Sequence, residues 1–334
     1  MRRGVIVRYI RFAITKTMPK ILLTGASGQI GSDLAPLLAD KVGKDSLVLA
    51  FHKERKVFDN SWNSVIVDTS DKKTLGKIIK DHNITQIYHL AGILSARGEK
   101  DPHAAWETNI VGLKNVLDFS VYYKIEKVFW PSSIAAFGMS TPRDNTPQET
   151  IIEPNTMYGV TKRAGELLCN YYVKKYGLDV RSLRYPGLIS YKTPPGGGTT
   201  DYAVDMFYKA IKGEQYTCFV REDTKLPMMY MDDAIKGTIM LMDAQKDAIR
   251  IRSSYNFSAI SFTAKELEEE IKKYYPEFSC VYDPDSRQAI ADSWPRSVDD
   301  SCARKDWGWH EDVNLEKMVG VMIRELKKKL LPSS

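Results

Sequence analysis

The stretch KILLTGASGQIG, residues 20–31, decides the fold class. Its first part, Lys20–Thr24, is a short apolar run typical of a buried strand, and leucines at helical spacing follow the stretch. The turn between them carries Gly25, Gly28 and Gly31. A strand, a glycine-rich turn and a helix predict a dinucleotide site. Glycines let the backbone approach a pyrophosphate, and the helix N-terminus offers free N–H groups.

Apolar runs and helical patterns continue to alternate beyond this turn. The further predicted strands are Ser46–Phe51, Ser64–Val67, Gln86–Leu90, Lys127–Trp130 and Val180–Tyr185. Helical patterns lie between them at Leu75–Ile79 and Trp106–Val121. Strands that alternate with helices predict an α/β fold with a doubly wound parallel sheet of the Rossmann type and right-handed crossovers.

The C-terminal third has a different pattern, which predicts a smaller substrate lobe. A loop signal at Pro194–Gly198 separates it from the alternating series. A charged helix is predicted over Thr263–Tyr274, where Thr263 and Glu266 match a capping box, and a last helix over about Asn314–Leu330. We therefore predict a dinucleotide-binding Rossmann domain over residues 18–190. Residues 191–334 are expected to form mainly a substrate-binding lobe, with some segments returning to the sheet.

The net charge of +6 comes from the N-terminal leader. Residues 1–20 hold six Arg and Lys residues and no Asp or Glu, so the remaining basic and acidic residues balance. A neutral body favours no nucleic-acid partner. A basic, amphipathic, acid-free leader is typical of mitochondrial import, which predicts a transit segment over residues 1–17 and a matrix protein. A disordered tail or a start at Met18 would explain the same residues. The sequence contains no apolar run of about 18 residues, so no transmembrane helix is predicted.

The four cysteines favour neither a metal site nor a disulfide framework. Cys169, Cys218, Cys280 and Cys302 form no CxxC pair, and none has a histidine at ligand spacing. We predict reduced thiols and no bound metal.

The adenosine end of the predicted dinucleotide site departs from the usual pattern. An acidic residue normally ends the second strand and binds the adenosine ribose. Here the sequence is AFHKE, and the carboxylate is absent or displaced to Glu54. His52 and Lys53 would suit either the 2′-phosphate of NADP or the ribose of NAD. Asp68, after the third strand, is predicted to accept a hydrogen bond from the adenine amino group or to cap the next helix. Small residues follow the fourth strand at Leu90–Gly92 and leave room for the cofactor.

A YxxxK pattern at Tyr158 and Lys162 carries the catalytic signal. Residues four apart share a helix face, so the phenol and the ammonium can flank one ligand. A nearby ammonium and a cationic nicotinamide favour the phenolate, which can then act as a general base. Alone, the pattern is common on protein surfaces. Here it follows the end of a predicted strand at Ser132 and Ser133, which completes a Ser-Tyr-Lys set.

These motifs resemble the extended short-chain dehydrogenase/reductase family. Longer segments resemble, within it, the short-chain type of L-threonine 3-dehydrogenases: Trp130–Gly138, Leu183–Ser190, Pro195–Ala203, Leu226–Asp233 and Ala289–Pro295. Together they span nearly all of residues 18–330. The glycine turn and YxxxK are shared by the whole superfamily, whereas PGGGTTDY and LPMMYMDD are much more specific.

The resemblance implies a role for each matching residue. Ser133 would orient the substrate oxygen, Tyr158 would act as the base, and Lys162 would hold the nicotinamide ribose. The implied cofactor is NAD, with contacts from Gly25, Gly28, Gln29, Ile30, Gly31, His52, Lys53, Asp68, Leu90, Ala91, Gly92, Tyr158, Lys162 and Tyr185, and with Asn109 supporting Lys162 through water. The implied substrate residues are Ser95, Ser133, Tyr158, Thr199, Thr200 and Trp294, although Trp294 would equally suit the core.

The implied reaction is oxidation of the 3-hydroxyl of L-threonine to 2-amino-3-oxobutyrate. The resemblance also implies a homodimer that packs the Trp106–Val121 and Tyr158 helices into a four-helix interface.

Two alternative functions stay open. A nucleotide-sugar epimerase or dehydratase generally needs cations for the diphosphate, and Lys225 is the only cation beside Leu226–Met229. A non-catalytic NAD(P)-sensing protein would also keep the Rossmann fold. We further expect Gly196–Gly198 and Ser95–Lys100 to close over a small substrate.

Overall fold

The structure is a computed structural model, which describes residues 18–53 and 57–331. The predicted transit segment and Glu54 lie outside the described residues.

A seven-stranded parallel sheet forms the centre of the molecule, with strand order β10-β6-β5-β4-β1-β2-β3. Its strands are β1 (Ile21–Thr24), β2 (Leu47–Phe51), β3 (Ser64–Ile66), β4 (Gln86–His89), β5 (Lys127–Ser133), β6 (Val180–Tyr185) and β10 (Tyr255–Asn256). Five further strands lie in the described part of the chain: β7 (Gly187–Ile189), β8 (Tyr216–Cys218), β9 (Lys225–Tyr230), β11 (Ile260–Thr263) and β12 (Cys280–Tyr282). The predicted α/β fold class is confirmed.

Twelve α-helices lie in the described part of the chain. They are α1 (Gln29–Val42), α2 (Lys72–Asp81), α3 (Ser95–Lys100), α4 (Pro102–Trp106), α5 (Gly112–Tyr122), α6 (Met157–Tyr176), α7 (Tyr202–Lys212), α8 (Met231–Asp243), α9 (Ala264–Lys272), α10 (Arg287–Asp292), α11 (Ser301–Trp307) and α12 (Leu315–Leu330). A π-helical turn, Glu107–Val111, joins α4 to α5. None of the described helices is both long enough and apolar enough to cross a membrane.

Helices cover both faces of the central sheet because its strands are apolar on both sides. Leu22, Ile87 and Val128 pack with residues of α2, α5 and α6 in one core. The residues that alternate with them, such as Leu23 and Tyr88, pack with α1, α8 and α11 in the other core. The doubly wound arrangement places the carboxyl ends of β1, β4, β5 and β6 along one edge.

A smaller lobe forms beyond this edge around a third core, which includes residues of α7, α9 and α12. It contains a sheet in the order β11-β9-β7 and the pair β12-β8. The chain passes from β6 of the central sheet into β7 of the small one within two residues, so the seam between the sheets lies at Pro186. The predicted capping box is confirmed: Thr263 and Glu266 form both reciprocal hydrogen bonds at the start of α9. Later in the chain, β10 returns from the small lobe to the central sheet, where it pairs with β6.

Candidate active site

A cleft runs along the carboxyl ends of the central strands, where the strand order reverses between β1 and β4. Such a switch point is the usual ligand site of open α/β sheets. Two adjoining cavities of about 320 Å³ and 230 Å³ form the cleft and share part of their lining. We call them the adenosine cavity and the catalytic cavity.

The glycine turn forms the floor that the two cavities share. Gly25 has φ 69°, a left-handed conformation, and a Cβ there would lie 2.7 Å from the backbone of Leu90 and Ala91. A Cβ on Gly31 would lie 2.5 Å from the carbonyl oxygen of Gly25. Gly28 is the N-cap of α1 and makes no side-chain hydrogen bond to the helix N-terminus. The turn therefore fits a pyrophosphate held by backbone N–H groups.

His52, Lys53 and Asp68 line the adenosine cavity. The Oδ1 atom of Asp68 accepts hydrogen bonds from the backbone N–H and the hydroxyl of Ser70, at 2.9 and 2.7 Å, and Oδ2 lies 3.9 Å from His52 Nδ1. Asp71, not Asp68, caps α2, so the alternative interpretation of Asp68 as a helix cap is wrong. Asp68 is thus placed to face an adenine or a ribose.

Ser133, Tyr158 and Lys162 meet in the catalytic cavity. Ser133 ends β5, and its hydroxyl forms a hydrogen bond with that of Tyr158 and also caps the turn that follows. Tyr158 lies in the first turn of α6, which Thr156 caps. One turn later, the ammonium of Lys162 donates to the Pro131 carbonyl at 2.6 Å and lies 5.4 Å from the centre of the Tyr158 ring.

Burial dominates the electrostatics of this set. It raises the pKa of Tyr158 to about 12, against the hydrogen bond from Ser133, which lowers it. It also lowers the pKa of Lys162 to about 7, although Cys169 and Glu166 both act to raise it. In the free protein the phenol is therefore protonated, and the expected lowering by Lys162 is not among the effects that act on the pKa of Tyr158. Additional positive charge in the cleft is needed before Tyr158 becomes a base.

Most of the predicted contact residues lie together, with one exception. Every predicted substrate residue and all the predicted cofactor residues except Asn109 line one of the two cavities. Asn109 lies on the π-helical turn, where its amide donates to the Ile93 carbonyl at 3.0 Å and to Thr161 Oγ1 at 3.0 Å and accepts from the Ile93 N–H at 2.8 Å. It holds the loop after β4 against α6, and none of these hydrogen bonds reaches Lys162.

The far end of the catalytic cavity lies between the start of α3 and the small lobe. The hydroxyls of Ser95 and Thr199 face each other at 3.5 Å, and both residues are buried. Trp294 lines the cavity and also packs into the core of the small lobe, so both interpretations of this residue hold. The Asp201 carboxylate closes the glycine loop by accepting from the N–H groups of Gly197 and Gly198, at 2.6 and 2.8 Å.

A buried ionic cluster, which was not predicted from the sequence, lies behind the catalytic set. Glu166 accepts from Arg184 through both carboxylate oxygens, at 2.8 and 3.0 Å, and from the Ser132 hydroxyl at 2.7 Å. Tyr185, next to Arg184, lines the catalytic cavity, while its hydroxyl pairs with Thr238 on α8. Two arginines in the apolar run VRSLRY were the available signal, because a buried arginine needs a carboxylate.

All four cysteines are unpaired in the structure. Among residues 18–53 and 57–331, no group of three or more His, Cys, Asp or Glu side chains could hold a metal ion.

Comparison with known proteins shows to which family this chain belongs. The model of the NAD dependent epimerase/dehydratase family matches residues 21–256. The chain belongs to this family. It is an oxidoreductase of the extended short-chain dehydrogenase/reductase type, and its cofactor is NAD.

Three known proteins are similar to this chain over most of its length. An uncharacterised epimerase/dehydratase of Staphylococcus aureus is 44% identical over 315 residues, which cover 93% of this chain and 98% of that protein. L-threonine dehydrogenase from Cupriavidus necator in its holo form has 50% identity and a TM-score of 0.90, over 92% of this chain and 100% of that one. A monomeric L-threonine 3-dehydrogenase from a metagenome has 47% identity and a TM-score of 0.89, over 92% and 99% of the two chains.

Proposed function

We propose that this enzyme oxidises the 3-hydroxyl of L-threonine to 2-amino-3-oxobutyrate with NAD. The observation that carries the proposal is the charge of the catalytic cavity. Among the described residues that line it, Lys162 and Asp201 are the only charged ones. A nucleotide sugar needs several cations for its diphosphate, whereas a small zwitterionic amino acid does not. The similarity to two L-threonine dehydrogenases supports the same choice.

The catalytic set performs the oxidation by proton removal from the substrate hydroxyl. Ser133 donates a hydrogen bond to that oxygen, and Tyr158 accepts one from it. The proton then passes to the Tyr158 oxygen. Lys162, fixed by the Pro131 carbonyl, keeps its ammonium beside the phenolate. When bound, NAD supplies the hydride acceptor for Cβ and a positive charge beside Tyr158. The open N-terminus of α1 would hold its pyrophosphate, and Asp68 its adenosine.

The glycine loop and Thr199 form part of the wall around this substrate. The loop ends at Asp201 and brings the Thr199 hydroxyl against Ser95, so the far wall of the cavity carries small polar groups beside Trp294. Such a wall fits a short side chain with a hydroxyl.

Steady-state kinetics with L-threonine, using NAD and NADP in parallel, tests the proposal. We expect NADH formation with L-threonine and none with UDP-glucose. Thermal-shift titrations with both ligands separate binding from turnover. Stabilisation by the nucleotide sugar without activity on L-threonine would favour the epimerase alternative. Binding of NAD with no activity on a panel of hydroxy compounds would favour the sensor.

The homodimer is a proposal that rests on an exposed apolar face of α4, α5 and α6. Trp106, Tyr122, Leu167 and Tyr171 are exposed there. Because one similar enzyme is described as monomeric, light scattering after gel filtration should decide. Leu167→Glu should then give a monomer, whereas Leu37→Glu on α1, an equally exposed leucine, should leave the dimer intact.

The mitochondrial matrix is likewise a proposal, which rests on the composition of the leader. N-terminal sequencing of the endogenous protein should find a start near Met18. Retention of Met1 would contradict it.

A further inference from the structure

His89 is a buried histidine that the proposed mechanism does not use. It ends β4 and pairs with Thr24 of β1 in the parallel register. Since Tyr88 pairs with Phe129 of β5, the next residue along, His89, lies beside Trp130. Strand alternation places His89 on the same face as Ile87, which is the face that α5 and α6 cover. The imidazole is therefore enclosed between the sheet and the helix that carries Lys162.

One ring nitrogen of His89 is bound and the other is not. Nδ1 lies 2.8 Å from the Thr24 hydroxyl oxygen, which also accepts from the Ala91 N–H at 3.3 Å. Nε2 is fully buried and has no hydrogen-bond partner among the described residues. Because a buried polar atom without a partner costs stability, a free Nε2 in this position points to a neighbouring donor.

Lys162 is a donor close enough for its charge to act on the His89 ring. Its ammonium crosses the Trp130 ring, 4.8 Å from the ring centre, to reach the Pro131 carbonyl. Burial, and after it the charge of Lys162, lowers the pKa of His89 to about 3, so the ring is neutral. An ammonium carries only donors, and the Pro131 carbonyl satisfies one of its three N–H groups. A ring nitrogen that faces it must be an acceptor, which requires the proton on Nδ1.

We propose that His89 is a positioning residue for Lys162: its neutral ring accepts, through Nε2, a hydrogen bond from the ammonium, directly or through one water. The Thr24 hydroxyl fixes the ring from the other side by accepting from Nδ1. Among the described residues, the other groups that act on Lys162 come from its own helix and from β5. They are Tyr158, Glu166, Cys169, Trp130 and the Pro131 carbonyl. His89 adds an acceptor from β4, which holds the ammonium charged beside Tyr158.

Two matched substitutions separate this role from a structural one. In His89→Asn the amide occupies the place of Nδ1 and keeps the contact with Thr24, but nothing replaces Nε2. In His89→Gln the amide oxygen can occupy the place of Nε2, while the contact with Thr24 is lost. The proposal predicts that the asparagine variant is the more damaged of the two, and a purely structural role predicts the reverse.

The expected loss in His89→Asn is about ten- to a hundredfold in kcat at pH 7, the range for one hydrogen bond to a charged group. KM for L-threonine should change by less than about threefold, because His89 does not line either cavity. The acid limb of the kcat profile should move to higher pH, so that the deficit shrinks by pH 10. A deficit that is the same at every pH, or a glutamine variant worse than the asparagine variant, would overturn the proposal.

The second test needs no turnover and no variant that must stay active. The chain has five histidines, and nitrogen NMR of ring-labelled histidine reports which nitrogen carries the proton. The pair of ring signals that disappears in His89→Gln belongs to His89. If that variant does not fold, the pair that stays neutral down to pH 5 is assigned to His89. We expect Nδ1 protonated and Nε2 bare. A proton on Nε2, or a charged ring at pH 6, would refute the acceptor role.

The kinetic test of the His89 variants rests on the proposed function, whereas the NMR test does not. If the wild type fails to oxidise L-threonine while Nε2 is a bare acceptor, the substrate assignment is wrong and the positioning of Lys162 stands. If the wild type is active and Nε2 is protonated, the inference on His89 is wrong and the function stands.

Discussion

Glu166→Gln should destabilise the protein strongly although the side chain keeps its size. Glu166 is fully buried, and its two oxygens accept both donors of the Arg184 fork and the Ser132 hydroxyl. An amide offers one acceptor oxygen and one NH2 group, so its nitrogen must face a donor of Arg184 or of Ser132. The substitution also leaves the buried guanidinium without a counter-charge.

Removing one partner of a buried ion pair costs about 3–5 kcal/mol. The unfolding entropy of about 2.1 cal/mol/K per residue gives about 0.65 kcal/mol/K for the described chain. We therefore expect Tm to fall by about 5–8 °C. Arg163→Met is the matched control. It breaks only the outer, partly exposed contact with Glu166 at 3.3 Å and should cost less than about 1 kcal/mol.

Calorimetry on the cofactor-free protein measures both variants. The double variant Glu166→Leu with Arg184→Met should recover part of the loss, because it buries no unpaired charge. A Tm for Glu166→Gln within 2 °C of the wild type, or a double variant less stable than Glu166→Gln, would show that Arg184 does not depend on this carboxylate.

Tyr158→Phe should lower kcat by about 10²–10⁴-fold with little change in the Kd for NAD, since the general base is lost and the binding surface is not. Because burial raises the pKa of Tyr158, the wild-type oxidation rate should rise with pH above 7, and a wild-type rate that is flat from pH 7 to 9 would contradict this. Gly25→Ala should raise the Kd for NAD at least tenfold by titration calorimetry, whereas Gly43→Ala, also at positive φ but with open space around its Cβ, should leave it unchanged. Thr200→Ala should raise the KM for L-threonine more than that for NAD, and hydrogen exchange over Pro194–Asp201 should slow when both ligands bind; equal effects or unchanged exchange would count against loop closure. NAD should be preferred over NADP, and the opposite preference would point to Lys53.

Local signals in the sequence were sufficient for the parts of the fold that local geometry determines. The strand, turn and helix around Gly25–Gly31 and the capping box at Thr263 are examples, since each needs only residues a few positions apart. The helix predicted from Trp106 begins earlier, at Pro102, because Asp101 and Pro102 supply an N-cap and a first-turn proline that hydrophobic periodicity does not show.

Features that depend on distant residues were not predictable in the same way. The three-residue strands β7, β8 and β12 have no pattern of their own and exist only through their partners in the small sheets. His89 and Thr24 are 65 positions apart, and Arg184 and Glu166 are on different elements. The high pKa of Tyr158 arises from burial, which spacing between Tyr158 and Lys162 does not report.

The return of β10 to the central sheet determines when the nascent chain can finish that sheet. Tyr255 and Asn256 pair with Leu183 and Arg184 of β6, and the Asn256 side chain accepts from the Arg184 guanidinium at 2.9 Å. Until about 70 more residues have left the ribosome, β6 has one open edge and Arg184 lacks one of its acceptors. A protein cut after residue 190 would keep that open edge permanently and should aggregate through it rather than fold as a free nucleotide-binding unit.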